Sequence, residues 1–232
     1  MRAKLRKHLL FAGAGILGVL VPCSVAAGTQ DRAAVAFHVQ AHAVKASSVC
    51  VNTPLAQGLD CYDMKHEWPL ATTGDVYLMV ANANVQAGIS ALSCGIQTDP
   101  VISIFGWYLC ADQEFPTQGW PRSGSEITVT WNAVSNCQRQ TPPLGGPNSG
   151  QAVAGAFYVY AYGNGQLRGV PRSGEAFMRV ADCSAEESQI ATYIPIVGFG
   201  TSPGASGCYG CFGSEQCPVE AATWGSLKAS FD

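Results

Sequence analysis

Charged side chains are scarce in this chain of 232 residues, in which Asp, Glu, Lys and Arg together make up 12%. Helical bundles and disordered chains carry far more charge, so neither class fits. Histidine is also scarce, with four copies. The chain lacks the His-Glu-x-x-His motif of zinc peptidases and a Gly-rich phosphate loop ending in Lys and Ser or Thr. The sequence therefore offers little from which to build a catalytic site.

Long hydrophobic runs are missing as well, except for residues 9–21 near the start. This run is too short for a bilayer-spanning helix, which needs about 20 residues. It follows a basic start and precedes the small residues Val25, Ala26 and Ala27. Together these features predict a secretory signal peptide at residues 1–27, cleaved after Ala27. We predict no membrane span and a secreted protein, extracellular or periplasmic.

Cys23 raises the alternative of a lipoprotein anchor, because that signal also places a cysteine just after the apolar run. Pro22 argues against it, since the lipoprotein signal needs a small residue at that position. Removing the leader takes away four of the 13 basic residues and leaves nine against 16 acidic ones, a net charge of −7. So acidic a chain is not expected to bind nucleic acid or an anionic membrane. We predict no cofactor.

Alternating apolar and polar residues, bounded by Gly, Pro and Asn, recur along the rest of the chain. They predict eight strands, at residues 33–44, 75–82, 88–96, 101–110, 126–131, 151–162, 177–181 and 192–199. Eight short strands with few helical patterns indicate an all-β fold, an antiparallel β-sandwich, with a jelly roll or barrel as the alternative. We assign residues 28–199 to this sandwich.

Two short helices are predicted beside the strands. Ser184 and Glu187 have the spacing of a capping box, which favours a helix start there. Trp224, Leu227 and Phe231 form a small apolar stripe at helical spacing. Residues 200–232 are therefore predicted to be a Gly- and Cys-rich C-terminal segment with a short helix packed on the domain.

Nine cysteines remain after Cys23 is removed with the leader. In an exported chain the expectation is disulfide bonding, so we predict a disulfide-braced fold. The candidates are Cys50, Cys61, Cys94, Cys110, Cys137, Cys183, Cys208, Cys211 and Cys217.

The spacing favours a local Cys50–Cys61 bridge. For the next four cysteines we choose Cys110–Cys137 and Cys94–Cys183, although the sequence does not select among the three possible pairings. Nine is an odd number, and we expect the unpaired thiol among the last three cysteines. Their spacing also leaves a zinc site or a redox pair open, but the glycines around Cys208 and Cys211 disfavour the helix that a redox pair needs.

Two groups of residues are candidates for a site. His38 and His42 lie on one face if their segment is a strand, where they either bind a metal or form part of a solvated polar face. Tyr158, Tyr160 and Tyr162 also share one strand face, opposite the apolar Phe157 and Val159. Flat rings with hydroxyl tips suit contacts with a glycan or a protein, unless another part of the chain covers them.

The segments Leu92-Ser93-Cys94-Gly95-Ile96 and Phe105-Gly106-Trp107 place a cysteine or an aromatic residue inside a strand. With Leu109-Cys110-Ala111-Asp112 and the ending Pro218-Val219-Glu220 and Thr223-Trp224-Gly225, the chain resembles uncharacterised secreted bacterial proteins with cysteine-containing β-strands. The resemblance implies no catalytic residue.

We therefore expect a secreted structural or binding domain that is not catalytic. One alternative is an extracellular glycan-acting hydrolase, which needs two carboxylates across a groove; Asp112 and Glu114 share a face of an extended segment and are the candidates. The other alternative is a metal-binding or redox protein.

Overall fold

The computed structural model describes residues 28–42, 46–59, 63–141, 149–190 and 194–204. Regular structure within these ranges is almost entirely β, with one single-turn helix, α1 (Ala46–Val49). The strands are β1 (Ala34–Ala41), β2 (Glu67–Trp68), β3 (Thr73–Ala83), β4 (Ala91–Thr98), β5 (Ile102–Leu109), β6 (Gln113–Pro116), β7 (Glu126–Thr130), β8 (Gly150–Ala161), β9 (Gly165–Val170), β10 (Met178–Ala181), β11 (Glu187–Ile190) and β12 (Ile196–Phe199).

The strands form two sheets. The first has four antiparallel strands in the order β1-β3-β8-β5. The second follows the order β11-β10-β4-β9-β12-β2, with β7 paired to β4 and β6 paired to β7. Its pairs are antiparallel except for the short parallel pair of β12 with β2. The prediction of an all-β, antiparallel sandwich is confirmed.

A hydrophobic core fills the space between the sheets, because alternate residues of each strand point inward. The four-stranded sheet contributes Phe37, Leu78 and Phe157, and all three side chains are fully buried. The second sheet contributes residues such as Leu92 and Ile127 to the same cluster. This shared core makes the two sheets a single sandwich.

A smaller core lies on the outer face of the four-stranded sheet, at one of its ends. Tyr77, Met79 and Ala156 point outward from the sheet and are buried there against Val49 and Met64. The segment between β1 and β2 therefore covers this end of the outer face. The described residues leave the other end of the same face open.

All eight predicted strands are present, with shifted ends. The strands that sequence analysis missed are short: β2, β6, β9 and β11 have between two and six residues. The predicted helix start at Ser184 and Glu187 is wrong, because Glu187 begins strand β11, whose residues alternate between exposed and buried.

A side chain outside the predicted capping box shapes the turn before β11. Asp182 Oδ1 accepts hydrogen bonds from the backbone N–H groups of Ser184 and Glu186, at 2.8 and 3.0 Å. Burial raises the pKa of Asp182, but these bonds and one from the Thr29 hydroxyl outweigh it, so the pKa is lowered. An Asp side chain that binds backbone N–H groups two and four residues on favours a turn over a helix.

The disulfides differ from the predicted pairs. Cys50 bonds to Cys110, and Cys137 bonds to Cys183. The predicted Cys50–Cys61 and Cys110–Cys137 bridges are therefore wrong. Both observed bonds link residues far apart in sequence, 60 and 46 positions, because the fold and not the loop length brings them together.

Cys94 was also expected in a bridge, to Cys183, and is instead a free, fully buried thiol in β4. The unpaired thiol was expected among Cys208, Cys211 and Cys217. Those three residues, Cys61 and the predicted C-terminal helix lie outside the described residues.

The two disulfides are typical of a protein that folds in an oxidising compartment, outside the cytosol. In the part of the chain that the structure describes, no helix has the length and hydropathy that crossing a membrane requires.

Candidate binding face

The tyrosines of β8 lie on the open end of the outer sheet face. Phe157, Val159 and Ala161 point into the core and are fully buried. On the opposite face of the strand, the side chains of Tyr158 and Tyr160 are half-buried. Tyr162, the next residue of this row, is 68% exposed. The predicted alternation is therefore present, and the described residues leave the outermost ring open.

Strand pairing identifies the neighbours of these tyrosines. Tyr158 lies between Asp75 on β3 and Gly106 on β5. Tyr160 lies between Thr73 and Ser103 on the same two strands. Side chains directly opposite each other in adjacent strands share a face. The tyrosines are therefore flanked by small and polar residues.

The rings contact one another along the face. The Tyr158 ring stacks on the His42 ring with centroids 4.0 Å apart, and it meets the Phe105 ring at 5.5 Å. Tyr160 and Tyr162 meet edge to face at 4.7 Å. Such pairs contribute about 0.5–1.5 kcal/mol beyond the area they bury. We call the set His42, Phe105, Tyr158, Tyr160 and Tyr162 the aromatic face.

Phe105 joins the aromatic face because of a β-bulge. The pairing of β5 with β8 shifts between Ile104 and Gly106, which leaves Phe105 as the extra residue. In a bulge, two residues of one strand oppose a single residue of the other, here Tyr158. Phe105 is 56% exposed at the edge of the sheet. The bulge also protects this edge strand against pairing with another chain.

His42 is held in place by a buried carboxylate. Its Nδ1 lies 2.7 Å from Asp75 Oδ1, and Asp75 has no exposed surface. This contact uses Nδ1 as the donor and leaves Nε2 as the other ring nitrogen. The side chain of His42 remains 23% exposed. Asp75 and Tyr158 thus fix the orientation of an imidazole at the border of the aromatic face.

His38, the second histidine of the proposed metal pair, has a different environment from His42. It is 2% exposed, and its Nδ1 accepts a hydrogen bond from the Lys65 backbone N–H at 3.1 Å. Burial, with a smaller contribution from the Lys65 charge, lowers the pKa of His38 to about 4. The two imidazoles therefore have different partners. Among the described residues, no three His, Cys, Asp or Glu side chains are grouped so that they could hold a metal ion.

The covered end of the outer face is tied to the sheet by hydrogen bonds and a disulfide. The Tyr77 hydroxyl donates to the Val49 carbonyl at 2.9 Å and accepts from Gln40 Nε2 at 3.0 Å. Burial first, and then the charge of Asp75, raise the pKa of Tyr77 to about 12. The Cys50–Cys110 disulfide fastens the covering segment next to the end of β5. This end is structural, so in the part of the chain that the structure describes the open surface of the outer face is the aromatic face.

The four-stranded sheet carries almost no charge. Its strands contain no Lys, Arg or Glu, and Asp75 is their single carboxylate. Arginines occur at the other sheet, where Arg172, just after β9, pairs with Glu126 and Arg179 on β10 pairs with Glu187. The aromatic face is therefore a nearly neutral surface on an acidic protein.

The two carboxylates considered for hydrolysis have structural partners. Asp112 accepts hydrogen bonds from the Asn132 backbone N–H at 2.7 Å and from Asn136 Nδ2 at 2.9 Å. Glu114 accepts from Trp107 Nε1 at 2.7 Å. Asp112 thus holds a turn and Glu114 anchors a tryptophan that packs on the core.

Sequence analysis overlooked the segment Gly200-Thr201-Ser202-Pro203-Gly204, which has the Gly-x-Ser-x-Gly spacing of a nucleophile elbow. The segment follows β12, and Ser202 donates its backbone N–H to the Phe199 carbonyl. Among the described residues, no hydrogen bond joins the Ser202 hydroxyl to a histidine. An elbow serine acts together with such a base.

An open polar cleft of about 230 Å³ lies on the second sheet. Gln166 Oε1 accepts hydrogen bonds from Nε and Nη2 of Arg168, at 2.9 and 2.6 Å. Asp99 Oδ2 accepts from the Gln166 backbone N–H at 2.8 Å. The polar groups of this cleft are thus bonded mainly to one another, whereas the aromatic face presents rings to solvent.

Fold and site together define a disulfide-bonded β-sandwich domain with an exposed aromatic face. No family model matches the chain, and no curated protein matches it. Among solved structures it is similar to the cohesin module of a family 33 glycoside hydrolase from Clostridium perfringens, with 9% identity over 59% of this chain and 91% of that one and a TM-score of 0.40.

The chain is also similar to the sixth cohesin of scaffoldin B from Acetivibrio cellulolyticus, solved with a dockerin, with 7% identity over 59% of this chain and 93% of that one and a TM-score of 0.39. A type I cohesin from Clostridium thermocellum, also solved with a dockerin, gives 10% identity, 58% and 94% coverage and a TM-score of 0.38. TM-scores this low show nothing about function. The function is therefore inferred from the residues of the aromatic face.

Proposed function

We propose that the chain is a secreted, non-catalytic binding domain that contacts its ligand through the aromatic face. The observation that carries this proposal is the outward row at the end of β8, where Tyr158 and Tyr160 alternate with fully buried residues and Tyr162 follows the last strand residue. Solvent-exposed aromatic rings on a rigid sheet lose little conformational entropy on binding. Such a surface suits a glycan or a protein partner.

The rigidity of the surface supports this proposal. His42 is fixed between Asp75 and Tyr158, and the neighbouring end of the sheet is held by the Cys50–Cys110 disulfide. A preorganised site pays less for ordering its side chains when the ligand arrives. Neither the hydrolase nor the metal or redox alternative gains a supporting arrangement among the described residues.

Export with cleavage after Ala27 is part of the proposal. Gly28 packs so closely on Ser188 that a Cβ would overlap its hydroxyl, and Gln30 is completely buried. The Gln30 side chain donates to the Gly88 carbonyl at 2.6 Å and accepts from the Asn84 N–H at 2.7 Å. The chain is therefore part of the sandwich from Gly28 onward. This packing is compatible with cleavage just before Gly28 and disfavours cleavage further along the chain.

The experiment compares the mature protein with Tyr162→Ser and Phe105→Ser. Phe115→Ser is the matched control, because Phe115 is 58% exposed, like Phe105, but lies on β6 of the other sheet. Each protein is tested for binding to immobilised neutral polysaccharides, anionic polysaccharides and secreted proteins of the source cell. We expect a ligand that binds the wild type and Phe115→Ser at least tenfold more tightly than the two variants of the aromatic face. A ligand that binds all four proteins equally would contradict the proposal.

A further inference from the structure

We propose that the Cys137–Cys183 disulfide is a site of thiol–disulfide exchange, where an external thiol bonds to Cys183 and Cys137 leaves as a thiolate beside Arg139. Cys137 follows β7 and Cys183 follows β10, so this site belongs to the second sheet and is separate from the aromatic face. The proposal adds a modification site to the binding domain. The chain itself has no catalytic part in the exchange.

The disulfide crosses the chain just before β4. On one side, Ile89 and Gln138 exchange backbone hydrogen bonds at 2.8 and 3.0 Å. On the other side, the Cys183 N–H donates to the Ala87 carbonyl at 3.1 Å. Between them lies Gly88, whose φ is +70° and whose added Cβ would overlap both sulfur atoms of the disulfide. The bond therefore rests on a position that only glycine suits.

Arg139 places a positive charge beside one sulfur of this bond. Its Nε–H donates to Cys137 Sγ at 3.1 Å, and a guanidinium stays protonated in proteins. In the part of the chain that the structure describes, no carboxylate is within ion-pair distance of Arg139. A neighbouring cation stabilises a thiolate, and the more stable thiolate leaves faster in an exchange. The geometry thus selects Cys137 as the leaving sulfur and Cys183 as the sulfur that is attacked.

The other described disulfide has the opposite surroundings. Cys50 Sγ lies 3.2 Å from the Leu109 carbonyl oxygen, and Cys110 Sγ lies 3.8 Å from the Tyr108 carbonyl oxygen. A disulfide sulfur has no hydrogen to donate, so each oxygen brings partial negative charge towards a sulfur and disfavours a thiolate there. Exposure alone would favour reaction at this bond, because Cys50 is exposed whereas both cysteines of the first bond are half-buried. Charge and exposure therefore predict opposite orders of reaction.

Solvent reaches the proposed site from two exposed turns. Cys183 is followed directly by the exposed residues 184–186. The turn that precedes Cys137 contains Val134, which is 96% exposed. A small thiol can therefore approach the bond without the sandwich opening.

The exchange balances in electrons and protons. An external thiolate attacks Cys183 Sγ, a new S–S bond forms there, and the Cys137–Cys183 bond breaks with its electron pair on Cys137. A second external thiolate then attacks the external sulfur of this mixed disulfide and releases the Cys183 thiolate. The two cysteines take up the two protons that the external thiols lost. The protein gains two electrons, and the external thiols become a disulfide.

The fold keeps the two cysteines together after the bond opens. The backbone hydrogen bonds on both sides of Gly88 do not involve sulfur, and β4 stays paired with β7 on one edge and β10 on the other. Cys137 and Cys183 thus remain neighbours and can form the bond again when the external thiol is removed. The modification is therefore reversible.

The test treats the mature protein with 2-mercaptoethanol, a small neutral thiol, and quenches samples with acid at intervals. Mass mapping follows both disulfides in the same samples, so the Cys50–Cys110 bond is an internal reference. We expect the Cys137–Cys183 bond to open at least tenfold faster, with mercaptoethanol found on Cys183 and a free thiol on Cys137. Amide protection of Ile89 should persist in the opened protein.

Variants of Arg139 separate the effect of charge from that of exposure. Arg139→Gln should open at least fivefold more slowly than the wild type, whereas Arg139→Lys keeps the charge and should retain at least half of the rate. Arg122→Gln is the matched control, because it removes another exposed arginine and should react like the wild type. Thermal unfolding before treatment shows that each variant is folded.

Three results would overturn the exchange site. The first is a Cys50–Cys110 bond that opens as fast as the Cys137–Cys183 bond or faster. The second is an Arg139→Gln variant that reacts like the wild type. The third is mercaptoethanol found mainly on Cys137. None of these results concerns binding at the aromatic face, so this proposal and the proposed function fail separately.

Discussion

His42 Nδ1 and Asp75 Oδ1 are 2.7 Å apart, and the carboxylate has no exposed surface. Removing the hydrogen-bond donor of a buried carboxylate destabilises the folded state, because bulk water does not replace the lost partner. We expect His42→Ala to lower the free energy of unfolding by about 2 kcal/mol, the usual contribution of a hydrogen bond to a charged group. Urea unfolding of wild type and variant measures the difference.

His42→Gln is the control for this prediction, since its side-chain amide can still donate to Asp75. It should recover at least half of the lost stability. Equal stability of His42→Ala and the wild type would show that the His42–Asp75 contact contributes nothing to the fold.

His38 makes stability depend on pH. Its folded pKa is about 4, below the usual value of 6.5, so the unfolded chain takes up a proton first as the pH falls. The stability that the neutral, buried ring provides is complete above pH 6.5 and is lost as the pH falls towards 4. We expect a loss of about 2 kcal/mol between pH 7 and pH 5, at 1.36 kcal/mol per pH unit.

Carboxylates also titrate near pH 5, so the loss is measured as the difference between the wild type and His38→Asn. The Asn side chain keeps an acceptor for the Lys65 N–H but has no proton to bind in this range. Urea unfolding at pH 7 and pH 5 should show a larger drop for the wild type. Parallel drops in both proteins would mean that His38 does not titrate differently on unfolding.

The strands were predictable because their alternation is local information. Residues such as Val35 and Phe37, or Phe157 and Val159, lie at every second position, and each of these side chains is fully buried. The strands that were missed lack this signal: β9 begins with Gly165 and has Arg168 inside it, and β2 has two residues. Such strands are fixed by their partners in the sheet.

The disulfide pairs were not predictable, because Cys50 meets Cys110 only after the segment that follows β1 folds over the outer sheet face. The tyrosine row was predictable from period 2, but Phe105 was not recognised as part of the aromatic face. The sequence does contain a signal for the bulge that brings Phe105 to this face. The core-facing residues Ile102, Ile104 and Trp107 change their spacing from two to three, which is typical of a bulge.

The Cys50–Cys110 disulfide should contribute strongly to stability. It closes a loop with a sequence separation of 60, for which the chain-entropy estimate is about 4 kcal/mol. The double variant Cys50→Ala/Cys110→Ala should lose about that amount in urea unfolding. Amide exchange should rise most around Val49 and Tyr77, which the covering segment buries. Peptide mapping without reduction provides an independent check. A Cys50–Cys61 peptide in that map would contradict the observed pairing.

Cys94 should be chemically inert in the folded protein. The side chain has no exposed surface, and burial raises the pKa of its thiol to about 12, with Arg172 offsetting only a smaller part. At pH 8 about one thiol in ten thousand would be the reactive thiolate even if reagent reached it. We expect iodoacetamide to leave Cys94 unmodified in the native protein and to alkylate it in guanidinium chloride without reductant. Peptide mass mapping of both samples measures the alkylation of Cys94. A reduced and denatured sample is the control for complete labelling. Alkylation of Cys94 in the native sample at the rate of an exposed thiol would mean that β4 opens, or that this position is not in the core.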